Sequence, residues 1–199
     1  MKYSILTQTP LYKGFFSLSE YRLRHELFGG GESPEIRREL LDRGQAAGVL
    51  PYDPGRDEVV LIEQFRVGAI AAGAVPWLTE IIAGYRDPGE TPEATVARES
   101  VEEAGCTVTD LVPMCRYYSS PASSNEQIHL YIGRTDSTGL GGIHGLSHEG
   151  EDIRVHVISP ATAFEWLDNG RIDSAMAIIA LQWFRLNRER IRTLWETGR

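Results

Sequence analysis

The 199-residue sequence has only two cysteines, no run of 18 apolar residues and no cluster of lysine and arginine above ordinary scatter. Cys106 and Cys115 lack the spacing of a disulfide framework or a thiolate metal site, so a structural disulfide is not expected. Without a long apolar run, no segment reads as a membrane-spanning helix. Met1-Lys2-Tyr3-Ser4-Ile5-Leu6 is followed by threonine, glutamine and proline, where an export signal would need a sustained apolar stretch. A soluble, cytoplasmic protein without membrane association is therefore expected. Acidic residues outnumber basic ones, 28 to 20, for a formal net charge of −8. Such a surface repels a phosphate backbone, which excludes extended nucleic-acid binding. A small anionic substrate is compatible with it if metal ions neutralise the charge locally. Internal repeats and low-complexity tracts are absent too.

What is present is an ordinary globular balance, 42% hydrophobic and 24% charged. Up to about residue 42, aromatic and aliphatic residues alternate with polar ones, as in Leu11-Tyr12-Lys13-Gly14-Phe15-Phe16-Ser17-Leu18. That is the period of antiparallel strands. Phe28-Gly29-Gly30-Gly31-Glu32-Ser33-Pro34 reads as a loop. This segment has too few apolar residues for a core of its own, so it is expected to pack on the main domain or on another subunit. From Ala46 the pattern predicts two strands around the turn Asp53-Pro54-Gly55-Arg56-Asp57, then a strand over 77–84. Further strands are expected near 113–119, 128–132 and 153–158. Ser159-Pro160 opens a helix that ends before Gly170. A longer helix runs from about Ser174 to Trp195, with Met176, Ile179, Ala180 and Trp183 on its apolar side. Strands interspersed with a few helices indicate an α+β fold, a mixed sheet with helices on its faces.

The stretch with most chemical content is Gly84 to Gly105. Thr91 suits an N-cap, Pro92 the first helical position and Gly105 the left-handed position after the helix. At about 100° per residue, Ala94, Ala97, Val101 and Ala104 share one side, expected to pack on the sheet. Glu99, Glu102 and Glu103 gather on another. Like charges at this spacing cost about 0.2–0.5 kcal/mol per pair. Two readings account for them: a solvated acidic face with Arg98 paired to Glu102, or oxygen ligands around a hard divalent cation such as Mg²⁺.

The full spacing separates the two. Gly84, Glu90, Arg98-Glu99, Glu102-Glu103 and Gly105 stand in the register of the Nudix box, which this stretch resembles at every fixed glycine, arginine and glutamate. Ser100 and Cys106 occupy positions that are usually aliphatic. The resemblance implies a Nudix fold, an α/β/α sandwich, over residues 43–199, with a small antiparallel strand domain at 1–42. It implies metal-dependent hydrolysis of a nucleoside diphosphate linked to another group. Carried over by position, Glu99, Glu103 and the carbonyl of Ala83 are metal ligands, and Glu102 a nearby or water-mediated one. Arg98 and Glu90 hold the box together, with Gly84 and Gly105 as its structural glycines.

Beyond the box, the chain resembles the bacterial ADP-ribose pyrophosphatases. Pro121 stands sixteen residues after Gly105, in Ser119-Ser120-Pro121-Ala122-Ser123-Ser124-Asn125-Glu126, although Ala122 replaces a usual glycine. This resemblance implies substrate contacts from Ser120, Pro121 and Glu126. Gly142 to Val155 reads as a mobile glycine-rich loop. By position it supplies the general base, Glu149, and a further ligand, Glu151. Glu151 or Asp152 is the competing base, with His144 and His148 as further alternatives. The N-terminal strands are expected to be exchanged across a homodimer with shared active sites. Phe15 or Phe16 would then stack on adenine, and Arg38, Arg66 and Tyr85 would meet the phosphates or the nucleotide. The expected reaction takes ADP-ribose to AMP and ribose 5-phosphate with two or three Mg²⁺, or Mn²⁺. Another nucleoside diphosphate sugar such as GDP-mannose, or non-catalytic binding of ADP-ribose, is the alternative.

Overall fold

A computed structural model describes residues 1–197, and the side chains of 1–195. The last two residues of the expected 43–199 domain lie outside the described residues. The chain divides into two compact units. One is Met1–Gln45 with Tyr117–Ile128, and the other runs from Ala46 to Arg116 and resumes at His129.

The first unit holds an antiparallel sheet of β1 (Tyr3–Lys13), β2 (Ser17–His25) and β3 (Ile36–Asp42), in that order. Gly14-Phe15-Phe16 turns β1 into β2, with the Gly14 amide donating to the Phe16 carbonyl at 2.9 Å. Every residue of β1 is exposed, so its outer edge and both its faces are open in this chain. Segment 119–126 joins β3 through the Leu41 amide, which donates to the Ser123 carbonyl at 2.8 Å.

The second unit is built on an eight-stranded mixed sheet. Its strands are β4 (Gln45–Asp53), β5 (Glu58–Phe65), β6 (Trp77–Glu80), β7 (Ile82–Tyr85), β8 (Thr109–Tyr118), β9 (Gln127–Arg134), β10 (Gly142–His144) and β11 (Ile153–Ile158). The order is β10-β11-β5-β4-β9-β8, with β6 on β5 and β7 on β4. Val59, Val60, Leu61 and Ile62 are all fully buried. A run without alternation marks a strand covered on both faces. Helix α2 (Pro92–Ala104) covers one face, with Val96 and Ala104 packed in a core with Val49, Val60, Ile62 and Ile153. On the other lie α3 (Pro160–Asp168) and α4 (Ala175–Thr197), where Phe184 meets the ring of buried Tyr52 at 4.8 Å. A short helix, α1 (Val67–Ala71), follows β5 and was not expected.

Four expectations need correction. The strand expected over 77–84 is two strands: β6 pairs with β5 and β7 with β4, and the chain changes partner at buried Ile81. Helix α4 buries Ala177, Ala180, Leu181 and Phe184, a stripe turned from the expected one, so that Met176, Ile179 and Trp183 flank the core. Segment 142–152 is not wholly loop, because Gly142–His144 pairs antiparallel with Ile153–Val155 and Ser147–Glu149 forms a 3-10 turn.

The fourth concerns α2. Its buried residues are Thr95, Val96, Ser100, Glu103 and Ala104, whereas Ala94 and Ala97 are exposed and Val101 is 57% exposed. The helix therefore packs the side that bears Glu103. The hydroxyls on that side are satisfied within the box: Thr95 donates to Glu90 at 2.8 Å and Ser100 to the Val96 carbonyl at 2.7 Å. Internal partners make burying these polar residues inexpensive, which a count of apolar positions does not register.

Candidate active site

The turn into α2 is capped as its residues require. Thr91 accepts from the Ala94 amide at 3.2 Å, Pro92 opens the helix, and Gly105 ends it at φ 61. Gly84 serves a different need. A Cβ there would come within 1.7 Å of Glu99 Oε1, so only glycine lets β7 lie against that carboxylate.

Arg98 organises the polar side of the box. Its Nε and Nη2 donate to the two oxygens of Glu90 at 3.1 and 3.2 Å. Nη1 reaches Glu99 at 2.7 Å and Glu102 at 2.9 Å, and Nη2 also donates to the Tyr85 carbonyl at 3.1 Å. The Arg98 guanidinium is the main reason that the Glu90 carboxyl is held down at about 2. Arg98 thus meets Glu90, Glu99 and Glu102 at once.

Glu103 stands apart from that network. It is 3% exposed and accepts from the Ala83 amide at 3.0 Å and from Gln64 Nε2 at 3.3 Å. Burial, reinforced by the negative charges of Glu99 and Glu151, pushes its carboxyl up to about 8. Glu99 is raised as well, first by burial, with Glu102 and Glu151 adding to it while Arg98 opposes. Carboxylates from α2 and from segment 142–152 therefore act on one another, and Arg66 contributes positive potential at Glu103. Arg66 itself is paired with Glu80 at 2.8 Å. Glu151 accepts from the Leu146 amide at 2.9 Å.

Among the described residues, no three of histidine, cysteine, aspartate and glutamate converge closely enough to hold a metal ion as they stand. Each carboxylate is turned to a protein donor instead. The donor set nevertheless suits a hard cation. It offers only oxygen, and the mutual repulsion that adds to burial in raising Glu99 and Glu103 is what a divalent ion would relieve.

The remaining expected residues fall into two groups. In the second unit, half-buried Tyr85 pairs with Ala46 on β4, and Ala83 pairs with Gly48. Glu149 is not drawn into the carboxylate group. It is 57% exposed on the 3-10 turn, 3.7 Å from His148 Nε2. In the first unit, Phe15 is 88% exposed and meets Phe16 edge-on at 4.8 Å, while the Arg43 guanidinium lies 5.0 Å over the Phe16 ring. Arg38 is exposed on β3, opposite Tyr21. Ser120 and Pro121 are exposed, and the Ser120 carbonyl accepts from the amides of Ser123 and Ser124 at 3.1 and 2.9 Å. Glu126 is buried and paired with Arg43 at 3.4 Å.

Sequence reasoning missed Gln64, Arg43 and Asn125. Gln64 had a signal: it follows Val60 and Ile62 at strand period, which aims it at α2. Asn125 binds Asp42 at 2.7 Å and accepts from the Arg43 amide at 3.0 Å, contacts across more than eighty residues that leave no local pattern.

Residues 42–186 match the NUDIX domain. The chain belongs to the Nudix family. Its Nudix fold has a solved counterpart in a crystal structure of an ADP compounds hydrolase, with a TM-score of 0.72 at 20% identity, covering 96% of this chain and 97% of that one. The ADP-ribose pyrophosphatase of Escherichia coli K12 is 47% identical over 191 residues, 96% of this chain and 91% of its own length. That of Haemophilus influenzae is 44% identical over 195 residues, 96% and 90% respectively. This Nudix chain is therefore similar to those enzymes over both of its units.

Proposed function

We propose that this Nudix protein hydrolyses the pyrophosphate of ADP-ribose to AMP and ribose 5-phosphate. One observation carries the chemistry: Glu103, buried and raised, stands under the negative potential of Glu99 and Glu151 in a box complete at every fixed position. The substrate is supported by full-length likeness to relatives bearing that name.

Two or three Mg²⁺ ions, or Mn²⁺, would be held by Glu99, Glu103, Glu151 and the Ala83 carbonyl, with Glu102 beside them. Bound there, the metal supplies charge neutralisation at the diphosphate and a lower pKa for the attacking water. The protein's own groups do the rest. Arg98 keeps Glu99 and Glu102 oriented and anchors them to Glu90. The Ala83 amide and Gln64 fix the Glu103 carboxylate between β5, β7 and α2. Arg66 and Tyr85 take the phosphates or the nucleotide. Glu149 accepts the proton of the attacking water as segment 142–152 closes over substrate, carrying the carboxylate inward from its exposed position.

Phe15 and Phe16 supply an aromatic face for adenine, with Arg38, Ser120, Pro121 and Glu126 as polar and shape contacts to the nucleotide. In this reading the 1–42 segment completes the site of a second copy in a cytoplasmic homodimer. The wholly exposed β1, with Tyr3, Ile5, Leu6, Leu11 and Tyr12 in the open, supports a partner along that strand.

The deciding experiment supplies ADP-ribose and MgCl₂ and separates the products by anion-exchange chromatography. AMP and ribose 5-phosphate in equal amounts are expected, with slower turnover of GDP-mannose. Faster turnover of GDP-mannose than of ADP-ribose would overturn the substrate assignment.

A further inference from the structure

Gly105 ends α2 in the left-handed region, which by itself favours glycine there. The space over its Cα is also taken. A Cβ at Gly105 would lie 2.7 Å from His144 Cε1 and 3.2 Å from its Nδ1. His144 is the last residue of β10, paired with Ile153 on β11. Its Nε2 lies 2.9 Å from the Gly141 carbonyl, a bond in which Nε2 carries the proton and donates.

The next two residues extend the connection. The Gly145 amide donates to the carbonyl of Glu102 at 3.2 Å, which ties the segment to the last turn of α2. The Leu146 amide donates to Glu151 at 2.9 Å. Gly145 has φ +100, and a Cβ on it would sit 2.7 Å from the Glu151 Cβ. From Gly105 through His144, Gly145 and Leu146, an unbroken set of contacts joins the end of the box helix to Glu151.

The segment has little regular structure of its own. β10 is three residues long, and Gly141, Gly142, Gly145 and Gly150 all have positive φ. Glycines lose the most freedom on ordering, and a three-residue strand pair is too short to be stable alone. The ring on Gly105 and the bond to the Glu102 carbonyl offset that entropy.

We propose that His144 is a positioning residue: seated on Gly105, its imidazole docks segment 142–152 on α2 and so sets where Glu151 stands relative to Glu99 and Glu103. This rests on the assignment of Glu151 as a cation ligand. With Nε2 donating to the Gly141 carbonyl, the other ring nitrogen, Nδ1, lies on the Gly105 side of the ring. The closing glycine of the box then has two duties, one in its own backbone and one as a seat.

Three variants and one cross test this. His144→Ala is expected to lower kcat for ADP-ribose about 10- to 100-fold with little change in KM, the scale of a misplaced group of about 1 Å. Deuterium exchange at the Gly145 and Leu146 amides of the metal-free protein should accelerate, while β4 and β5 keep their protection. His144→Gln, which retains an N–H donor, should recover part of both. Ile143→Ala, on the exposed neighbouring side chain, should change neither. In a Glu151→Gln background, His144→Ala should add almost nothing, because the two residues act through one another. Unaltered exchange at Gly145 and Leu146, or the full loss repeated in the Glu151→Gln background, would overturn the proposal. Wild-type kcat in Glu151→Gln alone would overturn the assignment of Glu151, with the exchange data still reporting separately on His144.

Discussion

The carboxylate of Glu99 occupies the space that a side chain on Gly84 would need, with Oε1 only 1.7 Å from a Cβ built there. One end of the box is thereby shaped around a carboxylate of its own helix. Gly84→Ala must push Glu99 away from β7 and break its geometry with Arg98. A fall in kcat of about 100-fold or more is expected, since displacement of a catalytic group by about 1 Å has that effect. Steady-state kinetics alongside far-UV circular dichroism would check it. Wild-type kcat in a folded Gly84→Ala protein would show that the contact does not constrain catalysis.

Glu103→Gln separates function from stability. Turnover should fall by orders of magnitude, while the metal-free protein becomes more stable at pH 8. The sign follows from the raised carboxyl, at about 8 when folded against an ordinary value of 4.5. The folded state favours the protonated form, so its ionisation weakens the metal-free fold progressively from about pH 4.5 to about 8. Glutamine removes that dependence, and for a chain of this size Tm should rise by about 2–4 °C per kcal/mol recovered. Calorimetry in EDTA at pH 5 and pH 8 is the measurement. A Tm difference from wild type that is equal at both pH values would refute the electrostatic account.

Glu90 shows the opposite sign. Arg98 holds its carboxyl down at about 2, against 4.5 when unfolded. Its contribution to stability is complete above about 4.5 and disappears as pH falls toward 2. Glu90→Gln should therefore lower Tm at neutral pH and leave it close to wild type near pH 2. A pH series of melting curves tests this, and a constant difference down to pH 2 would count against the pair.

Glu149 and Glu151 differ in setting, one exposed on a turn and the other held by the Leu146 amide. Their glutamine variants should differ accordingly. Glu149→Gln is expected to lower kcat about 10²- to 10⁴-fold, the usual scale for loss of a general base. Mn²⁺ affinity, read by electron paramagnetic resonance, should stay the same. Glu151→Gln should weaken Mn²⁺ binding as well. Full activity in Glu149→Gln would transfer the base role to another residue of the segment.

Much of this was legible in the chain because it is local. Caps and turns depend on neighbours within one helical turn, and the register from Gly84 to Gly105 was read by its resemblance to the Nudix box. The pattern from Thr91 to Gly105 accordingly predicted the helix that forms. The packing side of that helix was misread for a related reason. Thr95 and Ser100 are polar in composition, yet they are buried because Glu90 and the Val96 carbonyl, on the same element or beside it, take their hydroxyls. The break at Ile81 was hidden because one apolar run serves equally as one strand or as two with different partners.

From the sequence alone came the cluster of carboxylates, the cap chemistry of α2 and the strand periods, since each follows from residue type and spacing along one element. Only the tertiary structure decided that Glu103 is buried beneath the Ala83 amide and that Gln64 faces it. It alone seated His144 on Gly105. Those outcomes depend on which faces meet when strands far apart in sequence pair, and on how much water that meeting removes. A carboxylate's proton affinity follows from its surroundings, and here those surroundings came from β5, β7 and the segment before β11 closing around α2.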